Sequence, residues 1–151
     1  MSKFSLIYIG VFSLLISILS FFNLIYSNYF NLYLNIEIYI YTLIISLLFG
    51  LIFILKKKDD LKISIYEKII TVVSGYLILP LFICIPYYFS IYNITFLNAY
   101  FEAVSGFTST GFSIFENIKH LDESLILWRS SSQWIGGLYF LFSIILLIDI
   151  F

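Results

Sequence analysis

Four long apolar runs alternate with short polar stretches along this chain. The runs cover residues 4–26, 38–55, 69–89 and 124–151, and the first two contain no charged residue. A helix needs about 20 predominantly apolar residues to cross the hydrocarbon core of a bilayer. The pattern therefore predicts four membrane-spanning helices and an all-α membrane protein.

A shorter apolar segment lies between the third and fourth runs. Residues 97–106 indicate a short helix, with Thr95 or Asn98 as its N-cap, and a loop rich in Ser, Thr and Gly follows at 107–113. This segment is too short to cross a bilayer even with its lead-in. It therefore predicts a re-entrant pore helix and loop, which enters the membrane and returns to the same side.

The order of these elements divides the chain into two parts. Residues 1–65 are predicted to form an N-terminal transmembrane hairpin that ends in a cytoplasmic lysine-rich loop. Residues 66–151 are predicted to form one unit of transmembrane helix, re-entrant pore helix and loop, and transmembrane helix. The unit is not repeated within these residues.

Composition supports an integral membrane protein and excludes several functions. Hydrophobic residues make up 62% of the chain and charged residues 11%, with a mean hydropathy of +1.04, whereas a soluble domain carries about 25% charged residues. The net charge of −1 provides no basic surface for nucleic acid. Cys84 and His120 are the only Cys and His residues, so no zinc pattern exists. The sequence also shows no nucleophile–base pair and no phosphate-binding loop, so neither an enzyme nor a cofactor is expected.

A basic cluster predicts the orientation of the protein in the cell membrane. Four lysines and two aspartates lie between residues 56 and 62. Short loops rich in Lys and Arg stay in the cytoplasm, so residues 56–64 and the N-terminus with Lys3 are predicted inside, and the 27–35 turn outside. The alternative role of the cluster is contact with anionic membrane lipids.

The small-residue loop has the chemistry of a cation site. Non-helical backbone at membrane depth persists only where it is buried in protein or lines a watery cavity. The C-terminal end of the preceding helix carries roughly half a negative charge, which favours a cation. The carbonyls of residues 107–110 are candidate ligands for a dehydrated ion, and Gly111 permits a positive φ. The alternative interpretation of Thr-Ser-Thr-Gly is an ordinary surface loop.

Two charged residues in the apolar segments are candidates for supporting this loop. Ionisable groups within a membrane are costly and are normally paired. Glu102 is expected either to accept hydrogen bonds from the loop backbone or to pair with Arg129, and Arg129 alternatively extends to the membrane interface. Gln133 and the pair Gly136–Gly137 are expected to allow close helix packing, with a gating hinge as the alternative.

Two sequence blocks resemble a known family. The segment 101–111, Phe-Glu-Ala-Val-Ser-Gly-Phe-Thr-Ser-Thr-Gly, resembles the first pore loop of the TrkH/KtrB/HKT potassium transporters. The segment 125–137, Leu-Ile-Leu-Trp-Arg-Ser-Ser-Ser-Gln-Trp-Ile-Gly-Gly, is similar to the start of the helix that follows it in that family. The N-terminal hairpin and its lysine-rich loop also match the family layout, so the resemblance covers essentially the whole chain.

The resemblance implies an uptake pathway for potassium, or for potassium and sodium. In this family four successive helix–loop–helix units surround one pore, the proteins dimerise, and a cytosolic nucleotide-binding protein of the TrkA/KtrA type gates the pathway. The filter position, where K⁺ would bind as the transported ion, corresponds to Thr108, Ser109, Thr110 and Gly111. Ser109 stands where threonine is common, and Phe112 stands where a small residue is usual.

The chain contains one unit of the four that the resemblance implies. It is therefore expected to be the N-terminal portion of a longer protein, or to assemble with sister subunits that supply the remaining pore repeats. The alternative is a truncated, non-transporting membrane fragment, or an assembly or regulatory subunit of a full-length potassium transporter.

Overall fold

A computed structural model describes residues 3–55 and 64–148 of the chain. In this part five α-helices occur without any β-strand: α1 Lys3–Tyr29, α2 Ile36–Ile54, α3 Ile65–Tyr88, α4 Phe96–Phe107 and α5 Glu123–Ile148. Short 3-10 turns at Tyr33–Asn35 and Ile118–His120 precede α2 and α5. Four of the described helices, α1, α2, α3 and α5, are long and apolar enough to cross a membrane. The predicted all-α membrane architecture is confirmed.

Small residues bring α1 and α2 together as a hairpin. A Cβ atom at Gly50 would lie only 2.9 Å from the carbonyl oxygen of Gly10. Serine hydroxyls of α1 donate to carbonyl oxygens of α2: Ser13 to Ser46 at 2.6 Å, Ser17 to Leu43 at 3.2 Å and Ser20 to Tyr39 at 2.7 Å. Because lipid is as apolar as the helices, close backbone approach and such hydrogen bonds hold membrane helices together.

The hydrophobic core is continuous from the hairpin into the rest of the chain, and Tyr139 of α5 connects its helices. Its ring meets the ring of Phe12 edge-on, with 4.8 Å between the ring centroids. Its hydroxyl donates to the Thr71 carbonyl in α3 at 2.9 Å, and a Cβ atom at Gly75 would overlap the Tyr139 side chain. The division into two parts at residue 65 stays a prediction, since both parts share this core.

Helix α3 continues through Pro80 and Pro86 as far as Tyr88. Proline removes one backbone hydrogen bond and bends a helix, and it is tolerated in membranes where neighbouring groups satisfy the freed carbonyls. The prolines free the carbonyls of Tyr76 and Phe82, four residues earlier. The next carbonyls along the helix accept donors from other helices: Leu77 from the Tyr100 hydroxyl at 2.9 Å, and Ile83 from Trp128 Nε1 at 3.0 Å. These two bonds link α4 and α5 to α3 near its prolines, in addition to the bond from Tyr139 to Thr71.

A capping box marks the start of α3. Ser64 and Glu67 each accept the other's backbone amide through their side chains. The preceding basic cluster at 56–62 lies outside the described residues, as does Asp149. The predicted cytoplasmic location of the N-terminus therefore stays a prediction.

Candidate ion-binding loop

Helix α4 is too short to span a membrane. Its 12 residues give a length of about 18 Å at a rise of 1.5 Å per residue, against about 30 Å of hydrocarbon. Thr95 is its N-cap, because the Thr95 hydroxyl accepts the amide of Asn98 at 3.4 Å. Ala99 and Ala103 are fully buried, which allows the helix to lie close to its neighbours.

The C-terminal end of α4 is closed by a Schellman motif. Ser109 has a left-handed backbone with φ +56°. The amides of Ser109 and Thr110 donate to the carbonyls of Gly106 and Ser105, at 3.0 and 3.1 Å. These two bonds define the motif, in which glycine usually occupies the left-handed position. A non-glycine residue in this conformation costs roughly 1–2 kcal/mol, so the surrounding contacts stabilise a strained turn.

The next four carbonyl groups, those of residues 107–110, are left without donors. The Schellman bonds end on carbonyls before this segment, and no described residue donates a hydrogen bond to the carbonyl oxygens of 107–110. Phe107 is buried, whereas Thr108, Ser109, Thr110 and Gly111 are exposed. Consecutive free carbonyls at the negative end of a helix match what a dehydrated cation requires.

The hydroxyl groups of Thr108 and Thr110 are directed back towards α4. Ser105 donates to the carbonyl of Phe112 at 2.6 Å, and the Thr110 hydroxyl lies 3.2 Å from the Ser105 hydroxyl. Thr108 donates to the Val104 carbonyl at 2.8 Å. These side chains stabilise the turn, so its backbone carbonyls are the principal groups left for a ligand.

A buried ion pair lies behind the loop. The Glu102 side chain is fully buried and the Arg129 side chain is 10% exposed, and Nη1 of Arg129 contacts Oε1 of Glu102. Glu102 also accepts the Ile114 amide at 3.0 Å and the Ser113 hydroxyl at 3.2 Å. Of the two interactions considered for Glu102 from the sequence, the pairing with Arg129 is present, and the backbone amide that it accepts, that of Ile114, immediately follows the predicted loop at 107–113.

Helix α5 also contacts the loop backbone directly. Arg129 Nη2 lies 3.3 Å from the carbonyl oxygen of Gly111 and 3.4 Å from that of Phe112. Further along α5, the Gln133 carbonyl accepts the Ser109 hydroxyl at 3.4 Å. Gly111 has a left-handed backbone with φ +80°, as Ser109 has with φ +56°. The contacts from α5 therefore hold both left-handed residues of the loop.

The adjacent glycines of α5 have different environments. A Cβ atom at Gly136 would overlap the carbonyl group of Phe107, whereas one at Gly137 meets nothing within 4 Å. Both glycines border a groove of about 330 Å³ between Tyr76 and Phe140. Close packing, expected of both glycines, is therefore the role of Gly136.

Sequence reasoning missed two hydroxyls that support the loop. Ser113 contacts both members of the ion pair, and Ser105 contacts Thr110 and the Phe112 carbonyl. Ser105 lies three residues after Glu102, a helical spacing visible in the sequence. Nothing in the sequence indicates that Ser113 folds back onto Glu102, since the intervening turn decides it.

The backbone of Gly111 provides a first prediction. Gly111→Ala should lower the free energy of unfolding by about 1–2 kcal/mol, because φ +80° is left-handed and unfavourable for alanine. Denaturant unfolding in mixed micelles measures this effect. Gly137→Ala is the matched control, since a Cβ atom meets nothing at either position and alanine favours a helix. Equal effects of the two substitutions would contradict a conformational role for Gly111.

The helices and the loop define a multi-pass membrane protein in which a short helix is followed by a loop whose residues 108–111 are exposed. The chain belongs to the TrkH family of cation transport proteins, because the family model matches residues 35–150. The match includes α2 to α5 and the loop, and it begins after α1. The family resemblance expected from the two sequence blocks is confirmed.

Several curated proteins are similar to this chain. An uncharacterised cation transporter of Methanocaldococcus jannaschii is 31% identical over 109 residues, which cover 71% of this chain and 23% of that protein. The Trk system potassium uptake protein TrkI of Halomonas elongata is 38% identical over 44% of this chain and 12% of its own length. TrkG of Escherichia coli K12, another potassium uptake protein, is 30% identical over 54% of this chain and 17% of its own length.

The chain therefore spans less than a quarter of the length of these relatives. No solved structure shows a significant match to it.

Proposed function

We propose that residues 107–111 supply one of four selectivity-filter segments in a transmembrane pathway for potassium or another monovalent cation. The observation that carries this proposal is the run of four carbonyls at 107–110 that accept no hydrogen bond from the described residues. In this proposal α4 is a re-entrant pore helix whose C-terminal end points into the membrane. The family of cation transport proteins and the relatives named as potassium uptake proteins favour the same ion class.

The electrostatics of the supporting groups agree with a cation ligand. A lone arginine next to the filter carbonyls would repel a cation at close range. Because Glu102 balances Arg129, the pair holds the loop without adding net positive charge to it. The negative end of α4 and the free carbonyl dipoles then dominate the local field.

The remaining parts of the proposed pathway lie beyond this chain. One filter segment cannot surround an ion, so further pore repeats or sister subunits complete the pore. The cytoplasmic N-terminus, the dimer and a nucleotide-binding gating protein of the TrkA/KtrA type belong to the same proposal. The N-terminal location rests on the lysine-rich cluster, and the dimer and the gating protein rest on the family resemblance alone.

Potassium uptake tests the proposal directly. The chain is expressed together with the units that complete the pore in a strain deficient in potassium uptake, and growth at low potassium and rubidium influx are measured. The wild-type protein should restore uptake, and Gly111→Asp should abolish it, because the aspartate side chain adds bulk and charge at a left-handed position of the loop. Gly137→Ala should retain uptake. Absence of cation flux in the completed wild-type protein would exclude the transport function.

A second candidate is a non-transporting subunit that packs against a full-length transporter. Three further helix–loop–helix units encoded in frame or in a neighbouring gene would support the transport function. If the chain has no such units and changes the abundance or rate of a co-expressed full-length transporter, the subunit function is supported instead.

A further inference from the structure

A polar cluster connects the N-terminal hairpin to the first turn of α5. We call Asn23, Asn35, Tyr39, Asp122 and Ser124 the hairpin–α5 cluster. Asn23 and Tyr39 come from α1 and α2, and Asn35 immediately precedes α2. Asp122 and Ser124 flank the first residue of α5. The filter proposal assigns no role to any of these side chains.

Hydrogen bonds across this interface involve each of these residues. Asn23 Nδ2 donates to the Ser124 carbonyl at 3.1 Å, and Asn35 Nδ2 donates to Oδ2 of Asp122 at 2.9 Å. The Tyr39 hydroxyl lies 3.1 Å from the Ser124 hydroxyl, which in turn donates to Asp122. Asn23, Asn35, Tyr39 and Ser124 are all at least 99% buried.

The cluster includes buried polar atoms without hydrogen-bond partners, which reduce its contribution to the stability of the fold. The side-chain oxygens of Asn23 and Asn35 are buried and accept no hydrogen bond from the described residues. Burying an amide without its partners is unfavourable, and apolar side chains of similar size often stabilise a buried interface better. The amide hydrogen bonds restrict how the hairpin and the start of α5 are placed relative to each other, since each bond requires a narrow range of distance and angle.

Helix α5 transmits this arrangement to the loop. It is one uninterrupted helix from Glu123 to Ile148. Beyond the cluster it presents Arg129 to the Gly111 carbonyl, and then Gly136 to the Phe107 carbonyl group. A shift of its first turn would therefore move both contacts together.

We propose that Asn23 and Asn35 are positioning residues, which hold the filter loop in place through α5. The proposal rests on the proposed function for its consequence in transport, but its mechanical part is measurable without ion flux. Residues 3–29 would then have a role in the filter although they precede the segment that matches the family model.

Hydrogen exchange of the loop amides tests this role in the 151-residue chain in lipid nanodiscs. Asn23→Ala and Asn35→Ala should each accelerate exchange of the hydrogen-bonded amides of Ser109, Thr110 and Ile114 roughly five-fold, the factor that loss of one typical net hydrogen bond produces. Ser17→Ala is the matched control, because its hydroxyl bonds to Leu43 inside the hairpin. It should leave exchange of the loop unchanged.

Two outcomes would overturn the proposal. In the first, the loop exchanges at the wild-type rate in both asparagine variants. In the second, Ser17→Ala accelerates it equally, which would indicate general loosening of the hairpin. If the alanine variants do not fold, Tyr39→Phe, which removes a single hydroxyl, is judged by the same criteria.

Transport measurements separate this proposal from the proposed function. In the completed transporter, Asn35→Ala should change the ratio of potassium to sodium uptake, whereas Ser17→Ala should not. An unchanged ratio would contradict positioning of the filter. If the wild-type protein moves no cation but the exchange result holds, the proposed function fails and the positioning of the loop stands.

Discussion

Arg129→Met is expected to lower the free energy of unfolding by about 3–5 kcal/mol, the usual effect of removing one partner of a buried ion pair. The Glu102 carboxylate is fully buried and would keep only the donors from Ser113 and Ile114. Methionine preserves much of the side-chain volume, so the decrease in the free energy of unfolding is mainly electrostatic. Titration of detergent-solubilised protein with SDS, followed by tryptophan fluorescence, measures it.

The double variant Glu102→Gln with Arg129→Met separates charge from shape. Glutamine still accepts the Ile114 amide and carries no charge, so the loss should fall to about 1–2 kcal/mol, the cost of the remaining unmade hydrogen bonds. Ser130→Ala, at an exposed neighbour on α5, is the control and should change little. If the free energy of unfolding of Arg129→Met lies within about 1 kcal/mol of the wild-type value, the ion pair does not stabilise the fold. Unchanged expression and transport of Glu102→Gln alone would count against the pair as a support of the loop.

Gly136→Ala is expected to cost about 1–3 kcal/mol, the usual penalty for adding a methyl group to a packed interface. The added Cβ atom would overlap the carbonyl group of Phe107, and backbone yields less readily than the end of a side chain. Either α5 moves away from the loop or the first free carbonyl turns. Both changes should reduce cation uptake by the completed transporter, and SDS unfolding measures the cost in stability.

The neighbouring glycine is a control with the same chemistry and sequence context. Gly137→Ala adds the same methyl group to the same helix, but no atom lies within 4 Å of it. It should be neutral or slightly stabilising, because alanine favours the helix by about 0.5–1 kcal/mol. Equal losses in the two variants would mean that helix flexibility, and not contact with Phe107, is the property under test.

The sequence predicted every helix of the described part, and the errors concern their ends. The apolar run at 69–89 predicts a helix that begins after Glu67 and Lys68, whereas α3 begins at Ile65. Hydropathy leaves such residues out, since charged side chains at a helix end are solvated. The capping box at Ser64 decides the boundary, because it satisfies backbone amides that a helix end leaves unpaired.

Partners across helices were less predictable. The helical spacing of Gly10, Ser13, Ser17 and Ser20 is visible in the sequence. The sequence does not show which helix packs against the face that these four residues share. Likewise Gly136 and Gly137 are indistinguishable as sequence. They differ because successive residues on a helix point about 100° apart, so only one of them meets the loop.

The sequence by itself determined the number of spanning helices, the short helix with its loop, and the family. These properties depend on local composition, on spacing along the chain and on the cost of leaving backbone groups unpaired in lipid. The tertiary structure alone decided that Glu102 contacts both Arg129 and the Ile114 amide, and that Asn23 and Asn35 reach the first turn of α5. Those contacts join residues far apart in the chain, and their geometry follows from how helices pack, which no local pattern encodes.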